Sequence, residues 1–228
     1  RTDNQWPFSL ISQNGLIRWY DMENPASYAG SGTTLTDLSP AASNATLVNG
    51  LTWNGTTPKS IETTANNDYI SCGSPDFTSS GFSMCAWVKP DPILSPDMQF
   101  FGQGTSSANA GLHIHARDTA TKLRIGMYAN DYDFSHTMSA GTWYLLIFTY
   151  DGSTYEKKAY QDNVALSDFG FYTVENQYIG TGVLRVGTKY SSGDYSGRGE
   201  WGVIAIYDRV ISAMEREQLY DSYVSTYK

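Results

Sequence analysis

Short apolar runs separated by turn residues constrain the fold of this chain most. The run Trp143-Tyr-Leu-Leu-Ile-Phe-Thr-Tyr150 is almost continuously apolar or aromatic, and the pair Asp151-Gly152 follows it directly. A short apolar run that ends in a turn signal is typical of a buried β-strand, and Asp-Gly favours a tight hairpin. Similar runs recur along most of the chain, with turn signals about 8–12 residues apart, and this pattern predicts an antiparallel β-sandwich.

The same criteria assign the individual strands. We predict strands at residues 16–20, 45–48, 51–53, 68–72, 82–88, 98–102, 111–116, 122–127, 142–150, 154–161, 184–187 and 201–207. The segment Asn130-Asp-Tyr-Asp133 is rich in turn formers, so we predict a loop there.

The last residues carry a helical pattern instead. Ser212-Ala-Met-Glu215 is a capping box, in which Ser212 caps a helix and Glu215 reaches back to it. Leu219, Tyr220, Tyr223 and Val224 then form one apolar stripe at helical spacing. No internal repeat or low-complexity linker divides the 228 residues. We therefore predict one all-β domain over residues 1–228, a two-sheet antiparallel sandwich with a short C-terminal helix and residues 1–14 as an N-terminal extension.

Charge and cysteine content restrict the partners. The chain has 15 Lys and Arg against 23 Asp and Glu, a formal net charge of −8. An acidic surface repels phosphate backbones, so nucleic acid is not an expected partner. No apolar run reaches the roughly 18 residues that a membrane span needs, so we predict no span. Cys72 and Cys85 lie in two predicted strands, and both a disulfide and two buried free thiols are compatible with the sequence.

Residues 187–220 carry an ordered motif. A Val-Gly strand and a glycine-rich loop precede Gly199-Glu-Trp-Gly-Val-Ile-Ala-Ile-Tyr-Asp-Arg209, and the helix with Glu215 follows. This order resembles the C-terminal signature of laminin-G-like and pentraxin-like domains. Residues 68–70, 82–90, 141–152 and 160–162 resemble the core strands of the same family, and residues 21–50 resemble a subtype found in structural proteins of tailed bacteriophages. The resemblance covers residues 16–223 and implies a concanavalin A-like jelly roll.

That superfamily holds lectins and adhesins as well as glycosidases and polysaccharide lyases, so the resemblance leaves the function open. Its retaining glucanases place carboxylates on one strand as Glu-x-Asp-x-x-Glu. This spacing is absent here. Asp131 and Asp133 are two residues apart, but we expect them in a loop. The absence of the motif indicates that the chain is not a glucanase, and we predict that it is not an enzyme.

His113-Ile-His115 places two imidazoles on one face of a predicted strand. Polysaccharide lyases with a jelly-roll fold use a His or Tyr base together with Arg and Gln. Two histidines are too few for a zinc site without a third ligand. We interpret the pair as part of a solvated or sugar-facing sheet surface.

Calcium is the cofactor that the resemblance implies. In pentraxin-like domains the loop after the Val-Gly strand supplies acidic and amide ligands, whereas this chain has Lys189, Tyr190 and Ser191 there. A hard cation wants six to eight oxygen ligands. We therefore predict that no cofactor is required, and Asn130, Asp131 and Asp133 are the alternative calcium ligands. An ordinary turn of Asn and Asp residues is the other interpretation of that cluster.

Aromatic residues beside loops are the best candidates for ligand contact, because loops on a sandwich commonly carry function. We predict a binding site formed by Tyr128, Asp131, Tyr132, Asp133, Tyr190, Asp194 and Tyr195. Trp87, Trp143 and Trp201 lie in predicted core strands, and we interpret them as packing residues.

These observations predict a carbohydrate- or protein-binding recognition module, on a viral or phage surface or fibre. A glycan-active enzyme, either a polysaccharide lyase or a glycosidase, is one alternative on the same fold. A purely structural capsid or fibre assembly domain is the other. The expected partner is a cell-surface glycan or a neighbouring virion or surface protein, a homo-oligomer is compatible with the sequence, and the expected location is extracellular or on the virion surface.

Overall fold

The structure, a computed structural model, describes residues 11–91, 98–117, 121–171, 176–190 and 197–228. In chain order the described elements are β1 (Leu16–Asp21), β2 (Thr34–Leu35), β3 (Ala45–Val48), β4 (Thr52–Asn54), β5 (Ser60–Thr63), β6 (Tyr69–Ser71), β7 (Gly81–Pro90), β8 (Gln99–Gly104), β9 (Gly111–Arg117), β10 (Lys122–Gly126), β11 (Asp131–Ser135), β12 (Tyr144–Asp151), β13 (Lys157–Gln161), β14 (Val164–Ala165), β15 (Asp168–Phe171), β16 (Arg185–Val186), β17 (Gly199–Tyr207) and α1 (Ala213–Tyr227).

The described strands form two antiparallel sheets. The eight-stranded sheet has the order β14-β13-β12-β7-β17-β5-β4, and β1 also pairs with β17. The nine-stranded sheet has the order β15-β11-β10-β9-β8-β16-β6-β3-β2. Neighbours distant in sequence, such as β7 beside β17, are typical of a jelly roll. The predicted fold, an all-β sandwich with one C-terminal helix, is confirmed.

The core between the sheets follows from strand alternation. Inward-facing residues of both sheets form one apolar cluster, which includes Phe82 and Phe148 from the eight-stranded sheet and Ile114, Leu123 and Phe134 from the nine-stranded sheet. The longer strands place alternate side chains into this cluster, because successive side chains point to opposite faces. The alternate side chains therefore form the two outer faces of the sandwich.

The outer face of the eight-stranded sheet, called here the covered face, is apolar and lies under α1. Trp87 of β7 stacks on Tyr227 and Tyr220 of the helix, with ring centroids 4.8 Å and 5.8 Å apart. Trp143 also contacts Tyr227, at 4.7 Å. A side chain at Gly202 of β17 would collide with the Tyr227 hydroxyl, so this glycine permits the close approach of the helix.

The capping box that begins α1 is formed as predicted. The Glu215 amide donates to Ser212 Oγ, and the Ser212 amide donates to Glu215 Oε2 over 2.7 Å. Arg209 also donates a hydrogen bond to the Glu215 carboxylate. This hydrogen bond is the main reason why the pKa of Glu215 lies well below its ordinary value. The predicted apolar stripe packs on the covered face.

The two cysteines are free buried thiols in separate clusters. Cys72 lies in the core between the sheets, and Cys85 lies under α1. The strands around them belong to different sheets, so the disulfide that the sequence left open does not form. Burial raises the pKa of Cys72 to about 12, which makes it an unreactive packing residue.

Two details of the strand prediction are wrong. Residues 131–135 form β11, not a loop. Five strands were not predicted from the sequence: β2, β5, β11, β14 and β15.

Candidate functional site

The outer face of the nine-stranded sheet, called here the polar face, carries ionisable side chains. In β9, Leu112, Ile114 and Ala116 point into the core. Alternation therefore turns His113, His115 and Arg117 to the polar face, as the sequence predicted for the two histidines. On β11, Asp131 and Asp133 lie on the same side.

Cross-strand pairing arranges these side chains in rows, one residue from each strand. Gln99 of β8 lies opposite His115 of β9, which lies opposite Arg124 of β10, which in turn lies opposite Asp133 of β11. Residues directly opposite each other in antiparallel strands have Cβ atoms about 5 Å apart, so their side chains interact. The row therefore brings an amide, an imidazole, a guanidinium and a carboxylate together.

Arg124 is the centre of a buried ion-pair cluster. Its Nε donates to Asp133 Oδ1 over 2.6 Å, and its Nη2 donates to Asp133 Oδ2 over 2.9 Å. Its Nη1 donates to Asp131 Oδ2 over 2.6 Å. This bidentate geometry fixes the guanidinium plane as well as its position. Arg117 lies 3.8 Å from the same Asp133 carboxylate.

A second row crosses the sheet beside the first. His113 lies opposite Gly126, which lies opposite Asp131. A Cβ atom at Gly126 would collide with the His113 ring and the Asp131 carboxylate, which reach over this glycine towards each other. His113 Nε2 lies 3.4 Å from Asp131 Oδ1, and His113 Nδ1 lies 2.8 Å from the Gly111 carbonyl oxygen.

The segment 187–190 lies across the sheet and forms one wall of the site. It rests on Gly102 of β8, where a side chain would collide with the backbone of Lys189 and Tyr190. The Tyr190 ring contacts His113 and Tyr128, with centroids 5.8 Å and 6.3 Å apart, both edge-to-face. The Tyr190 carbonyl oxygen accepts a hydrogen bond from Arg185.

These elements enclose an open cavity of about 210 Å³. The residues that line it are Gln99, His113, His115, Arg117, Arg124, Lys189 and Tyr190. Since a water molecule occupies about 30 Å³ in the liquid, the cavity has room for about seven waters. This is the size of a single small polar ring rather than of an extended chain.

The electrostatics of the cavity differ between its groups. Burial, with the nearby charges of His113, Arg124 and Arg117, holds the pKa of His115 well below its ordinary value, so this imidazole is neutral at pH 7. Burial alone would raise the pKa of Asp131, but its interaction with His113 and the charge of Arg124 outweigh burial and lower it. The cavity therefore holds a neutral imidazole beside permanently charged groups.

Of the predicted binding residues, the structure brings Tyr128, Asp131, Asp133 and Tyr190 to this surface. Tyr128 and Ala129, with φ of 54° and 60°, form the turn between β10 and β11, and Tyr128 is 42% exposed at the rim. Tyr132 lies apart from these four, because alternation along β11 turns it to the core side, where its ring contacts Phe134 at 5.0 Å. Asp194 and Tyr195 lie outside the described residues.

The three predicted calcium ligands do not converge. The Asn130 amide oxygen accepts from Lys157 Nζ over 2.7 Å, and its nitrogen donates to Asn109 and to the Asn176 carbonyl. Asp131 and Asp133 point instead to Arg124. Across residues 11–91, 98–117, 121–171, 176–190 and 197–228, no group of three or more His, Cys, Asp or Glu is placed to hold a metal ion. In this arrangement the oxygens of the three residues bind Lys157 and Arg124, and calcium binding by them stays a prediction.

Sequence reasoning missed Gln99, Arg117 and Arg124, and it left Lys189 out of the binding set. Gln99, Arg117 and Arg124 come from three strands that pairing brings together, and the segment 187–190 carries Lys189 across the sheet to them. The signal that was available was alternation: Arg124 lies between Leu123 and Ile125, so its side chain had to leave the apolar core.

The fold and site define a lectin-like β-sandwich with one open polar face. Residues 64–215 match the family Laminin_G_3, which is described as concanavalin A-like lectin/glucanases superfamily. The chain therefore belongs to that superfamily. The family predicted from residues 187–220 is confirmed, and the phage-protein subtype stays a prediction. No curated protein matches the chain.

Several solved structures share the fold. Trypanosoma rangeli sialidase in complex with the inhibitor DANA is 14% identical with a TM-score of 0.66, over 92% of this chain and 33% of that chain. Domain 4 of AbnA, a GH43 extracellular arabinanase from Geobacillus stearothermophilus in complex with arabinotriose, is 18% identical with a TM-score of 0.62, over 92% of this chain and 100% of that one. The binding domain of botulinum neurotoxin serotype D/C is 13% identical with a TM-score of 0.65, over 92% and 53%.

These identities show a common fold and no more. The chain spans one third of the length of the sialidase chain that it resembles. No helix in the part of the chain that the structure describes is long and apolar enough to cross a membrane.

Proposed function

We propose that this protein is a carbohydrate-binding recognition module whose site is the cavity on the polar face. The observation that carries the proposal is the convergence of Gln99, His115, Arg124 and Tyr190 on one cavity. Sugar hydroxyls both donate and accept hydrogen bonds, and amide, imidazole and guanidinium groups at fixed positions complement them. Tyr190 adds an aromatic ring at the wall, which suits the apolar face of a sugar.

Two further points support the polar face. The covered face is occupied by α1, so the polar face is the outer sheet surface that a ligand reaches. Among the structures with this fold, domain 4 of AbnA was determined with arabinotriose. We extend the proposal to an extracellular or virion-surface location, on the resemblance of residues 21–50 to phage structural proteins.

A glycan array followed by calorimetric titration of the best ligand tests the proposal. Tyr190→Ala is expected to weaken binding about two- to tenfold, because a lost aromatic contact costs about 0.5–1.5 kcal/mol. Tyr220→Ala, which removes the same side chain from the covered face, is the matched control and leaves affinity unchanged. An array without any glycan signal, together with stable self-association in solution, would favour the structural assembly alternative and overturn the proposal.

A second candidate function, β-elimination on a polysaccharide, is favoured by one observation. The neutral imidazole of His115 lies in the same cavity as Gln99, two arginines and Tyr190. Growth of the ultraviolet absorbance of unsaturated uronate with an oligouronate panel would establish the activity. A flat trace over days, with binding retained, would leave recognition as the function.

A further inference from the structure

The last residue of β1, Asp21, carries a carboxyl group that is fully buried beneath α1. It pairs with Val203 of β17, a residue of the apolar cluster that the helix covers. Asp21 Oδ2 accepts a hydrogen bond from the Tyr223 hydroxyl over 2.9 Å, and Asp21 Oδ1 accepts one from the Glu23 amide over 2.9 Å. The helix therefore both shields this carboxyl group from water and supplies one of its hydrogen bonds.

No cation balances the carboxyl group of Asp21 in the part of the chain that the structure describes. The ionisable groups that face it are Glu23 on the following loop and Tyr223 and Tyr227 on α1. A buried carboxylate without a cation is unfavourable, so the docked helix favours the protonated form. Burial raises the pKa of Asp21 to about 6, although the hydrogen bonds from Tyr223 and the Glu23 amide lower it.

The contact between α1 and the sandwich is of a kind that can open locally. The helix joins neither sheet and rests on the covered face through side chains such as Tyr223 and Tyr227. The Tyr227 hydroxyl is buried there without a hydrogen-bond partner among the described residues. An element held in this way can separate while the strand ladders stay intact. Its opening would return Asp21 to water.

We propose that Asp21 makes the docking of α1 on the covered face dependent on pH. The docked state binds the proton of Asp21 more tightly than the open state does, because only the docked state buries it. Docking is therefore tightest at acidic pH and weakens as the pH rises through the docked-state pKa of about 6. The open state exposes Trp87 and Trp143, which α1 otherwise covers.

Hydrogen–deuterium exchange of the amides of α1 at pH 4 and pH 7.5, corrected for the intrinsic exchange rate, tests this proposal. We expect the opening constant of α1 to rise about fiftyfold between the two pH values, as required by a carboxyl pKa of about 6 in the docked state and 3.8 in the open state. Asp21→Asn replaces the carboxyl group with a neutral group of similar shape, and its opening constant should be the same at both pH values. Asp221→Asn removes a carboxyl group from the exposed side of α1 and should keep the response of the parent protein.

The amides of β12 separate local opening of the helix from unfolding of the whole domain. This strand pairs with β7 on one side and β13 on the other, so its amides exchange when the sheet comes apart. If α1 opens by itself, its amides exchange faster than those of β12. Their exchange also responds only weakly to low concentrations of urea, because local opening exposes little surface.

Three results would overturn the proposal. Exchange of α1 and β12 at the same rate and with the same urea dependence would mean that the helix leaves only when the whole domain unfolds. An opening constant of α1 that is equal at the two pH values would show that its docking does not respond to pH. A rise of equal size in Asp21→Asn would assign the response to another group. The polar face takes no part in these measurements, so each of these results leaves the glycan-binding proposal to its own test.

Discussion

The two outer faces of this sandwich follow the same alternation and have opposite character. On the covered face, Trp87 and Trp143 pack beneath Tyr227 of α1. On the polar face, the equivalent outward positions carry His115, Arg124 and Asp133. Alternation gives each strand an inward and an outward side, and the position of the helix determines which of the two outer faces is covered.

The energetics of the two faces also differ. Burial of aromatic rings under α1 stabilises the fold in proportion to the apolar area removed from water. A buried ion-pair cluster gains little net stability, because the desolvation of its charges offsets their attraction. The Asp131–Arg124–Asp133 cluster is therefore poorly explained by stability alone, and Arg124 lines the cavity that we propose as the binding site.

The largest loss of folding stability is expected from a substitution on the covered face. Trp87→Ala removes a fully buried ring that stacks on two helix tyrosines, and it should lower the free energy of unfolding by about 3–5 kcal/mol. Urea unfolding measures this loss, and glycan affinity of the folded fraction should not change. Met214→Ala, on the exposed side of α1, is the control and should stay within about 0.5 kcal/mol. A loss from Trp87→Ala below about 1 kcal/mol would contradict the packing role given to this face.

The second effect is expected on the polar face. Arg124→Met leaves Asp131 and Asp133 without the guanidinium that binds both, and it should cost about 3 kcal/mol. The triple variant that also carries Asp131→Asn and Asp133→Asn should regain most of this loss, because no buried carboxylate is then left without its cation. Chemical denaturation of both variants measures the difference. A single variant as stable as the parent protein would mean that the cluster is well solvated.

A third effect is a change of folding stability with pH, and its sign is expected to be opposite on the two faces. Burial raises the pKa of Asp21 to about 6, although hydrogen bonds from Tyr223 and the Glu23 amide lower it. The folded state therefore holds this proton more tightly than the unfolded state. The stabilising contribution of Asp21 is complete below its ordinary pKa of 3.8 and is lost as the pH rises through about 6.

Asp21→Asn removes this dependence. Between pH 3.5 and 7 the parent protein should lose about 2–3 kcal/mol relative to the variant, as a pKa shift of about two units requires. Asp131 on the polar face has a lowered pKa, so its contribution is present above its ordinary pKa and is lost as the pH falls. Urea titrations across this range measure both slopes, and parallel slopes for Asp21→Asn and Asp131→Asn would show that the contrast is wrong.

The smallest effect is expected from metal removal. Lys157 and Arg124 already bind the oxygens of Asn130, Asp131 and Asp133. EDTA should therefore shift the melting temperature by less than about 1 °C, because a ligand that is not bound to the folded state cannot stabilise it. A fall of several degrees would indicate a metal site in the folded protein.

Local signals in the sequence predicted most of the fold. The capping box at the start of α1 involves only Ser212 and Glu215, which are three residues apart. The apolar run 143–150 indicates a buried strand without any information from the rest of the chain. The candidate site was harder to predict. The turn before β11 uses Tyr128-Ala129, both with positive φ, where Asn-Gly would have been a visible signal. Asp131 and Asp133 of β11 are poor strand formers. Arg124, which binds both carboxylates, lies on the neighbouring strand, so the local sequence of β11 does not reveal the strand.

In the rows on the polar face, the backbone determines where the side chains lie, and the sequence determines which chemical groups they carry. Backbone hydrogen bonds hold neighbouring strands about 4.8 Å apart whatever the side chains are. Gln99, His115, Arg124 and Asp133 lie on four neighbouring strands, so the spacing between them is set by the backbone. Substitutions in the row do not alter this spacing. A relative with different residues at these four positions would present new chemical groups at the same spacing, so this sheet can change its specificity without being rebuilt.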